Sequence, residues 1–220
     1  MAEPHVARVE RIVAHAPDVH SLFLRLPPGR GVVFRPGQFL SLLLPVGDRT
    51  VTRAYSIASD PTEPELLEIC LNRVTGGAGA SAYLLDLAPG ASIRFTGPWG
   101  AFLLDRAPAA AVVFIAADLG IVPIRPMLHR AAATATFPVT LLYGRTLPLW
   151  RDELAALPGV AVIDVAPGDL AAEVQRRWVD ADGDRTRQFY LCGVGDLVLR
   201  LRDLLRGAGY ARRAVQYERW

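Results

Sequence analysis

The residues best suited to chemistry fall in four short runs. Arg53-Ala54-Tyr55-Ser56 ends a strand-like segment that follows Phe34-Arg35-Pro36-Gly37-Gln38-Phe39. An arginine fork grips a phosphate bidentately, a tyrosine lies against a flat ring, and a serine hydrogen-bonds that ring's edge. Period-two alternation puts residues 53 and 55 on one face and 54 and 56 on the other. Taken alone, the same residues also read as surface charge, core aromatic and filler. The second run, Gly76-Gly77-Ala78-Gly79-Ala80-Ser81, leads into a predicted helix. Backbone amides freed of side chains and backed by the helix dipole seat a pyrophosphate, although a plain helix entry has the same composition. The third, Ala116-Ala117-Asp118-Leu119-Gly120-Ile121-Val122-Pro123, is a strand-to-helix turn of the kind that binds nucleotide phosphates in doubly wound folds, or an ordinary capped turn. The fourth, Cys192-Gly193-Val194-Gly195, follows another predicted strand, and Cys192 by itself equally describes an inert buried thiol.

Two kinds of element must position these runs. From residue 5 to about 104 the chain alternates short β-branched segments with turn signals. The predicted strands are His5 to His15, Val19 to Leu26, Gln38 to Val46, Val51 to Ser59, Leu66 to Val74 and Ser92 to Thr96, parted by Pro27-Pro28-Gly29, Pro36-Gly37, Gly47-Asp48 and Asp60-Pro61. This predicts an N-terminal six-stranded antiparallel barrel, interrupted by one helix over Gly79 to Leu87. Beyond it the period changes. Strands at Ala111 to Ala116, Val139 to Tyr143, Val160 to Val165, Gln188 to Cys192 and Ala214 to Tyr217 alternate with helices at Ile121 to Ala133, Trp150 to Leu157, Leu170 to Val179 and Leu197 to Leu205. That pattern predicts a C-terminal doubly wound parallel sheet of five strands. The division is expected near Arg106-Ala107-Pro108, giving domains 1–106 and 107–220.

Composition removes several classes of function. Of 220 residues 51% are apolar and 21% charged, which is globular, and all 24 basic residues are arginine. Without lysine there is no P-loop, no kinase strand lysine, no Schiff base, and no tyrosine-lysine pair of a short-chain dehydrogenase. The 22 acidic residues are interspersed with the arginines, so the arginines reflect codon usage and imply no nucleic-acid partner. Cys70 and Cys192 are too few for a zinc finger or a four-cysteine cluster, and no metal site is expected. The first eleven residues lack a signal-peptide pattern, and the longest apolar run, Ala107 to Ala117, is too short to span a bilayer. A reduced, cytoplasmic location without membrane insertion is the expectation.

In order and spacing these runs resemble the ferredoxin-NADP reductase family, in which a flavin-binding barrel precedes a nicotinamide-nucleotide domain. The resemblance covers nearly the whole chain. It also takes in Gly97-Pro98-Trp99-Gly100 as a turn closing the barrel, Arg125, Met127, Leu142-Tyr143-Gly144-Arg145, Arg151-Asp152-Glu153-Leu154, Tyr190-Leu191-Cys192-Gly193, and an ending with Glu218 and Trp220. It implies that Arg53, Ala54, Tyr55, Ser56, Ile57 and Val74 hold FAD, with FMN the lesser possibility, and that Gly76, Gly77, Gly79 and Ser81 seat its phosphates. Asp118, Gly120, Pro123, Arg145, Cys192 and Gly193 would face NADPH or NADH. Ser56, Cys192 and Trp220 would stand at the reacting centre, Trp220 covering the flavin where nicotinamide enters, unless it is a frayed end. The implied activity is a flavin-dependent NAD(P)H oxidoreductase passing single electrons to a separate acceptor: a ferredoxin, flavodoxin, oxygenase component or small molecule.

Three departures sharpen the expectations. The family's glycine-rich turn is here Ala117-Asp118, and Gly195 and Leu197 stand where a proline and a methionine are expected after Cys-Gly. Asp118 then either repels the nucleotide's pyrophosphate, by as much as roughly 4 kcal/mol at 4 Å and an effective dielectric near 20, or caps the helix beginning near Gly120. Both readings make nicotinamide binding weak. They leave open a flavin-containing electron-transfer or regulatory subunit with impaired nicotinamide binding, or a flavin-free interaction domain. Arg145 favours a 2′-phosphate by charge, or is a solvated surface residue like Arg151. On this reading Asp118→Gly lowers the KM for the nucleotide several-fold. Removal of Trp220 is expected to change flavin fluorescence and nucleotide affinity, and unchanged values of both would refute the covering role.

Overall fold

The computed structural model describes residues 3–74, 79–104 and 109–220. It divides into two compact units, Met1–Leu103 and Leu104–Trp220. The expected division at Arg106-Ala107-Pro108 and the glycines Gly76 and Gly77 lie outside the described residues.

In the first unit β1 (His5–Ala16), β2 (Val19–Arg25), β3 (Phe39–Val46), β4 (Arg49–Ser56), β5 (Leu66–Asn72) and β6 (Ser92–Trp99) form one antiparallel sheet in the order β4-β3-β6-β1-β2-β5. The alternation read in β3 is real: Leu40, Leu42 and Leu44 are buried while the residues between them are not. With Leu22, Leu24, Leu67, Ile69 and Phe95 they fill the interior. Just past β4, Ile57 makes an isolated antiparallel bridge to Ile69, carrying one edge of the sheet onto the other. The single helix α1 (Ala80–Leu85) is shorter than the expected 79 to 87. Residues 97–99 are a correction: they continue β6 and do not form a turn. Gly97 takes φ +129, and a Cβ there would sit 3.1 Å from the Phe39 carbonyl oxygen. The missing side chain lets the strand pass a register shift and pair Trp99 with Phe39.

In the second unit β7 (Val112–Ala117), β8 (Val139–Gly144), β9 (Val160–Val165), β10 (Gln188–Gly193) and β11 (Val215–Arg219) are all parallel, in the order β11-β10-β7-β8-β9. Chain order reverses between β7 and β10, so the switch point, the crevice where open α/β sheets bind ligands, lies at their carboxyl ends. The connecting helices are α2 (Ile121–Thr134), α3 (Arg151–Ala155), α4 (Leu170–Val174) and α5 (Asp196–Gly207). The helix expected over 170 to 179 instead widens after Val174 into a π-helical turn, Gln175–Asp180. Two side chains bind its end. The Tyr210 hydroxyl donates to the Trp178 carbonyl at 2.9 Å, and the Arg185 guanidinium reaches the carbonyls of Trp178, Val179, Asp182 and Ala208. The helix's last carbonyls, which have no partner within it, are thus satisfied from outside it. Among the described residues no helix is long and apolar enough to cross a membrane.

An ion cluster joins α2 to α3. Arg125 binds Glu153 with both prongs, at 2.8 and 2.9 Å, His129 Nε2 lies 2.7 Å from the same carboxylate, and the guanidinium stacks 4.6 Å from the Trp150 ring centre. Burial alone pushes the Glu153 carboxyl up, but hydrogen bonds from His129 and Arg125 and their charge bring it down to about 2. The folded-state value is below the unfolded one, so the stabilisation is present above pH 4.5 and is lost as pH falls toward 2. With Glu153 about one-third exposed, screening reduces the contribution to about 1–2 kcal/mol. Acid melts of the wild type are expected to lose that much across this window. Glu153→Gln starts lower at neutral pH and shows a flatter acid limb, and parallel limbs would refute the assignment.

Candidate functional site

The barrel unit presents the first constellation at the end of β4. Arg53 and Tyr55 pair in register with Leu42 and Leu40 and therefore share their face, while Ala54 and Ser56 pair with Ser41 and Phe39 on the other. Because β4 is the sheet's edge strand, Arg53 remains exposed on a face whose central strands are buried. Its guanidinium donates to the Thr52 carbonyl at 2.8 Å and meets no carboxylate among the described residues. Tyr55 packs half-buried against the core. Burial raises its phenol above the usual range and the Arg53 charge partly offsets this, so it stays a neutral aromatic surface. The Ser56 hydroxyl has no partner among the described residues. Ile57 is different: its side chain is 0% exposed and its N–H is given to the Gln38 carbonyl, so it serves the core and offers no side chain to a ligand. Val74 is an exposed apolar residue. Gly79 takes φ +77 ahead of α1, and the buried Ser81 hydroxyl accepts the Val74 N–H at 2.9 Å, tying the residues just past β5 to the start of α1. A guanidinium without a carboxylate partner, a flat aromatic on the same face and an unpartnered hydroxyl one residue further are a set that fits a phosphate-bearing ring cofactor such as FAD.

The second constellation lies along the carboxyl edge of the parallel sheet. A Cβ on Gly120 would come within 2.0 Å of the Cys192 carbonyl oxygen, and one on Gly193 within 2.8 Å of the Ala117 Cβ. The turn after β7 thus lies directly on the end of β10, a contact only glycine permits. Pro123 is buried in the first turn of α2, where its missing N–H costs nothing. Cys192 is 1% exposed. Burial, and then the nearby Glu218 charge, raise its thiol well above the ordinary range, which keeps it neutral. Glu218 is its register partner across β10 and β11, and burial raises that carboxyl too. Trp220 has its carbonyl held by the Gly195 N–H at 3.2 Å, while its indole is 47% exposed and free to stack.

Two charged residues have partners that the sequence did not suggest. Asp118 does not cap α2: no side chain caps that helix, and Asp118 takes φ +46, aiming its carboxylate along the sheet edge. Its Oδ1 accepts the Thr146 N–H at 2.7 Å and the Thr146 hydroxyl at 2.9 Å. Arg145 is neither free nor simply solvated. Its Nε donates to Asp164 Oδ1 at 2.8 Å, and Arg151 takes Asp164 Oδ2 at 2.7 Å. The Arg145 hydrogen bond, followed by that from Arg151 and both charges, holds the Asp164 carboxyl below its usual range. Thr146 and Asp164 were not anticipated. Asp164 had a signal, a lone acid near the end of the apolar strand Val160-Ala161-Val162-Ile163-Asp164-Val165, whereas Thr146 had none.

Comparison with known proteins gives the family. Residues 6–103 match the oxidoreductase FAD-binding domain family. Ferredoxin–NADP reductase B of Sorangium cellulosum is 33% identical over 241 residues, covering all of this chain and 98% of that protein. The reductase component of propane 2-monooxygenase from Rhodococcus jostii is 27% identical, and there the match spans 97% of this chain but 62% of the relative. A ferredoxin NADP+ reductase from Neisseria gonorrhoeae, solved with bound FAD and NADP, superposes on the whole chain and 99% of its own with TM-score 0.84 at 20% identity. The chain belongs to the ferredoxin–NADP reductase family and is an FAD-dependent NAD(P)H oxidoreductase.

Gly120→Ala is expected to force the β7–α2 turn off the end of β10, destabilising the protein by about 1–3 kcal/mol, the usual range for overpacking. A denaturant melt unchanged from wild type would show that the turn yields freely.

Proposed function

We propose that the chain takes hydride from NADH, in preference to NADPH, and delivers electrons singly to a separate redox protein. The observation that carries the flavin half is the Arg53, Tyr55 and Ser56 set on adjoining faces of one strand end. Arg53 holds a cofactor phosphate, Tyr55 supports the ring and Ser56 hydrogen-bonds its edge; Ala54, Val74, Gly79 and Ser81 complete the seat, Ser81 donating the proton that its bond from Val74 leaves free. Bound FAD supplies the conversion of a hydride into single electrons. On the parallel sheet, Gly120 and Gly193 let a nucleotide approach backbone at the switch point. Glu218 and the buried surroundings keep Cys192 a neutral thiol there.

The nucleotide preference follows from Asp164. A carboxylate beside the adenosine end accepts hydrogen bonds from ribose hydroxyls and opposes a 2′-phosphate, and here it also occupies the two arginines that would otherwise bind that phosphate. The two cysteines, both buried, cannot ligate a cluster, so the acceptor lies outside these residues. Relatives that are reductase components of monooxygenases support an oxygenase component or ferredoxin as that acceptor. Two cysteines that form no disulfide accord with the reduced cytoplasm.

The first test is a visible spectrum with the flavin released and identified, then anaerobic NADH and NADPH in parallel. FAD bleached faster by NADH is expected, and Asp164→Ala shifts the kcat/KM ratio toward NADPH by about tenfold or more as both arginines are released. A colourless protein refutes the flavin seat. A flavin that neither nucleotide bleaches points to a subunit impaired in nicotinamide binding, and a wild type preferring NADPH refutes the role of Asp164.

A further inference from the structure

We propose that Asp118 is a positioning residue for the nucleotide: by holding Thr146 it keeps the loop after β8 where the nucleotide is bound. The inference rests on the nucleotide-binding reading above and adds what presets that seat. Residues 145 and 146 are anchored in opposite directions. Arg145 is drawn toward β9, its N–H to the Val165 carbonyl at 3.3 Å and its Nε to Asp164 at 2.8 Å. Thr146 is drawn toward β7, its N–H and hydroxyl both donating to Asp118 Oδ1. Without Asp118, Thr146 loses both of these bonds, and the loop keeps the β9 anchor and the bond from the Tyr143 hydroxyl to the Leu147 carbonyl. The turn that carries Asp118 is itself fixed on its other side, where Gly120 lies against Cys192 and Gly193. One carboxylate therefore joins the ends of β7 and β8 at the edge where the ligand crevice lies.

The φ of +46 is part of the device. Side chains rarely adopt it, aspartate and asparagine more readily than others, and it turns the carboxylate away from the α2 amides toward the neighbouring loop. Both donors to Oδ1 are neutral, so an amide oxygen serves in its place. The acceptor is required and the charge is dispensable, which reverses the expectation that removing a repelling acid tightens binding.

The test uses the full flavin-loaded chain and two readouts: steady-state KM and kcat for NADH with a dye acceptor, and calorimetric binding of ADP-ribose, which carries no nicotinamide. Asp118→Gly keeps the backbone at ease and removes the latch. It is expected to raise KM and the ADP-ribose Kd about tenfold, the scale of one charge-assisted hydrogen bond, while kcat moves far less. Asp118→Asn keeps the acceptor and the backbone preference, and rescues both constants to within about twofold. Thr146→Val removes one donor of the two and falls between, about threefold, and adds little on top of Asp118→Gly because both act on one contact. If Asp118→Gly misfolds, Thr146→Val and Asp118→Asn still decide the matter. Lowered KM in both the Gly and Asn variants would establish charge repulsion and overturn the latch, as would constants that none of the variants moves. A wild type that binds neither NADH nor ADP-ribose fails earlier, at the nucleotide reading itself.

Discussion

The approach of Gly120 to the Cys192 carbonyl is the constraint on which the nucleotide unit depends. A parallel sheet has its ligand crevice where two neighbouring strands send their connections to opposite faces, here β7 and β10. The crevice is useful only if the turn leaving β7 stays low, because a raised turn would fill it. Two glycines allow that, one on each side, with separations no Cβ could tolerate. Once the turn is low, Asp118 lies beside the loop after β8, and Arg145 in that loop lies beside Asp164 on β9. The carboxyl edge is thus a sequence of contacts running from β10 through β7 and β8 to β9, and each contact presumes the one before it.

The barrel unit meets a different requirement. Its site residues must be fixed yet uncovered, and an edge strand provides both. All eight residues of β4 have register partners on β3 that hold the backbone from one side only, and the partners of Arg53 and Tyr55 are the buried Leu42 and Leu40. The inward face therefore emerges at the surface where β4 has no outer neighbour. Edge strands invite pairing with other chains. The bridge from Ile57 to Ile69 limits the exposed edge by turning the chain onto β5 as soon as Ser56 is passed.

Local pattern made most of this readable in advance. Strand alternation in Leu40, Leu42 and Leu44, the apolar run of β7 and the helical spacing of α5 are properties of neighbouring residues, and each element was found within a few positions. The face shared by Arg53 and Tyr55 followed from period two alone. What escaped depends on residues distant in sequence. Asp118 and Thr146 are 28 positions apart, and nothing near either one announces their contact. The π turn after Val174 is bound at its end by Arg185 and Tyr210, and the continuation of β6 through Gly97 depends on its register with Phe39. Burial also distinguishes residues that motif reading treats alike: Ser56 and Ile57 are adjacent, but only one of them can meet a ligand.

An arginine-only chain shows which of its charges are committed. The guanidinium makes several directed bonds in one plane, and Arg125 and Arg185 use that capacity as cross-links, the first between helices and the second around a helix end. A lysine's compact ammonium lacks the planar fork that grips both Glu153 oxygens at once, and could not span the carbonyls that Arg185 reaches. Arg145 and Arg53 separate on the same criterion. Arg145 is bound to a carboxylate, so a phosphate arriving there must compete with Asp164 for it. Arg53 is bound to a single backbone carbonyl, and a phosphate arriving there gains a charge pair without breaking one. The difference in affinity between the two sites for a phosphate group is therefore set less by the arginines than by the acid that accompanies one and not the other. On the assignment proposed above, that asymmetry would let the flavin nucleotide be held more tightly than the nicotinamide one.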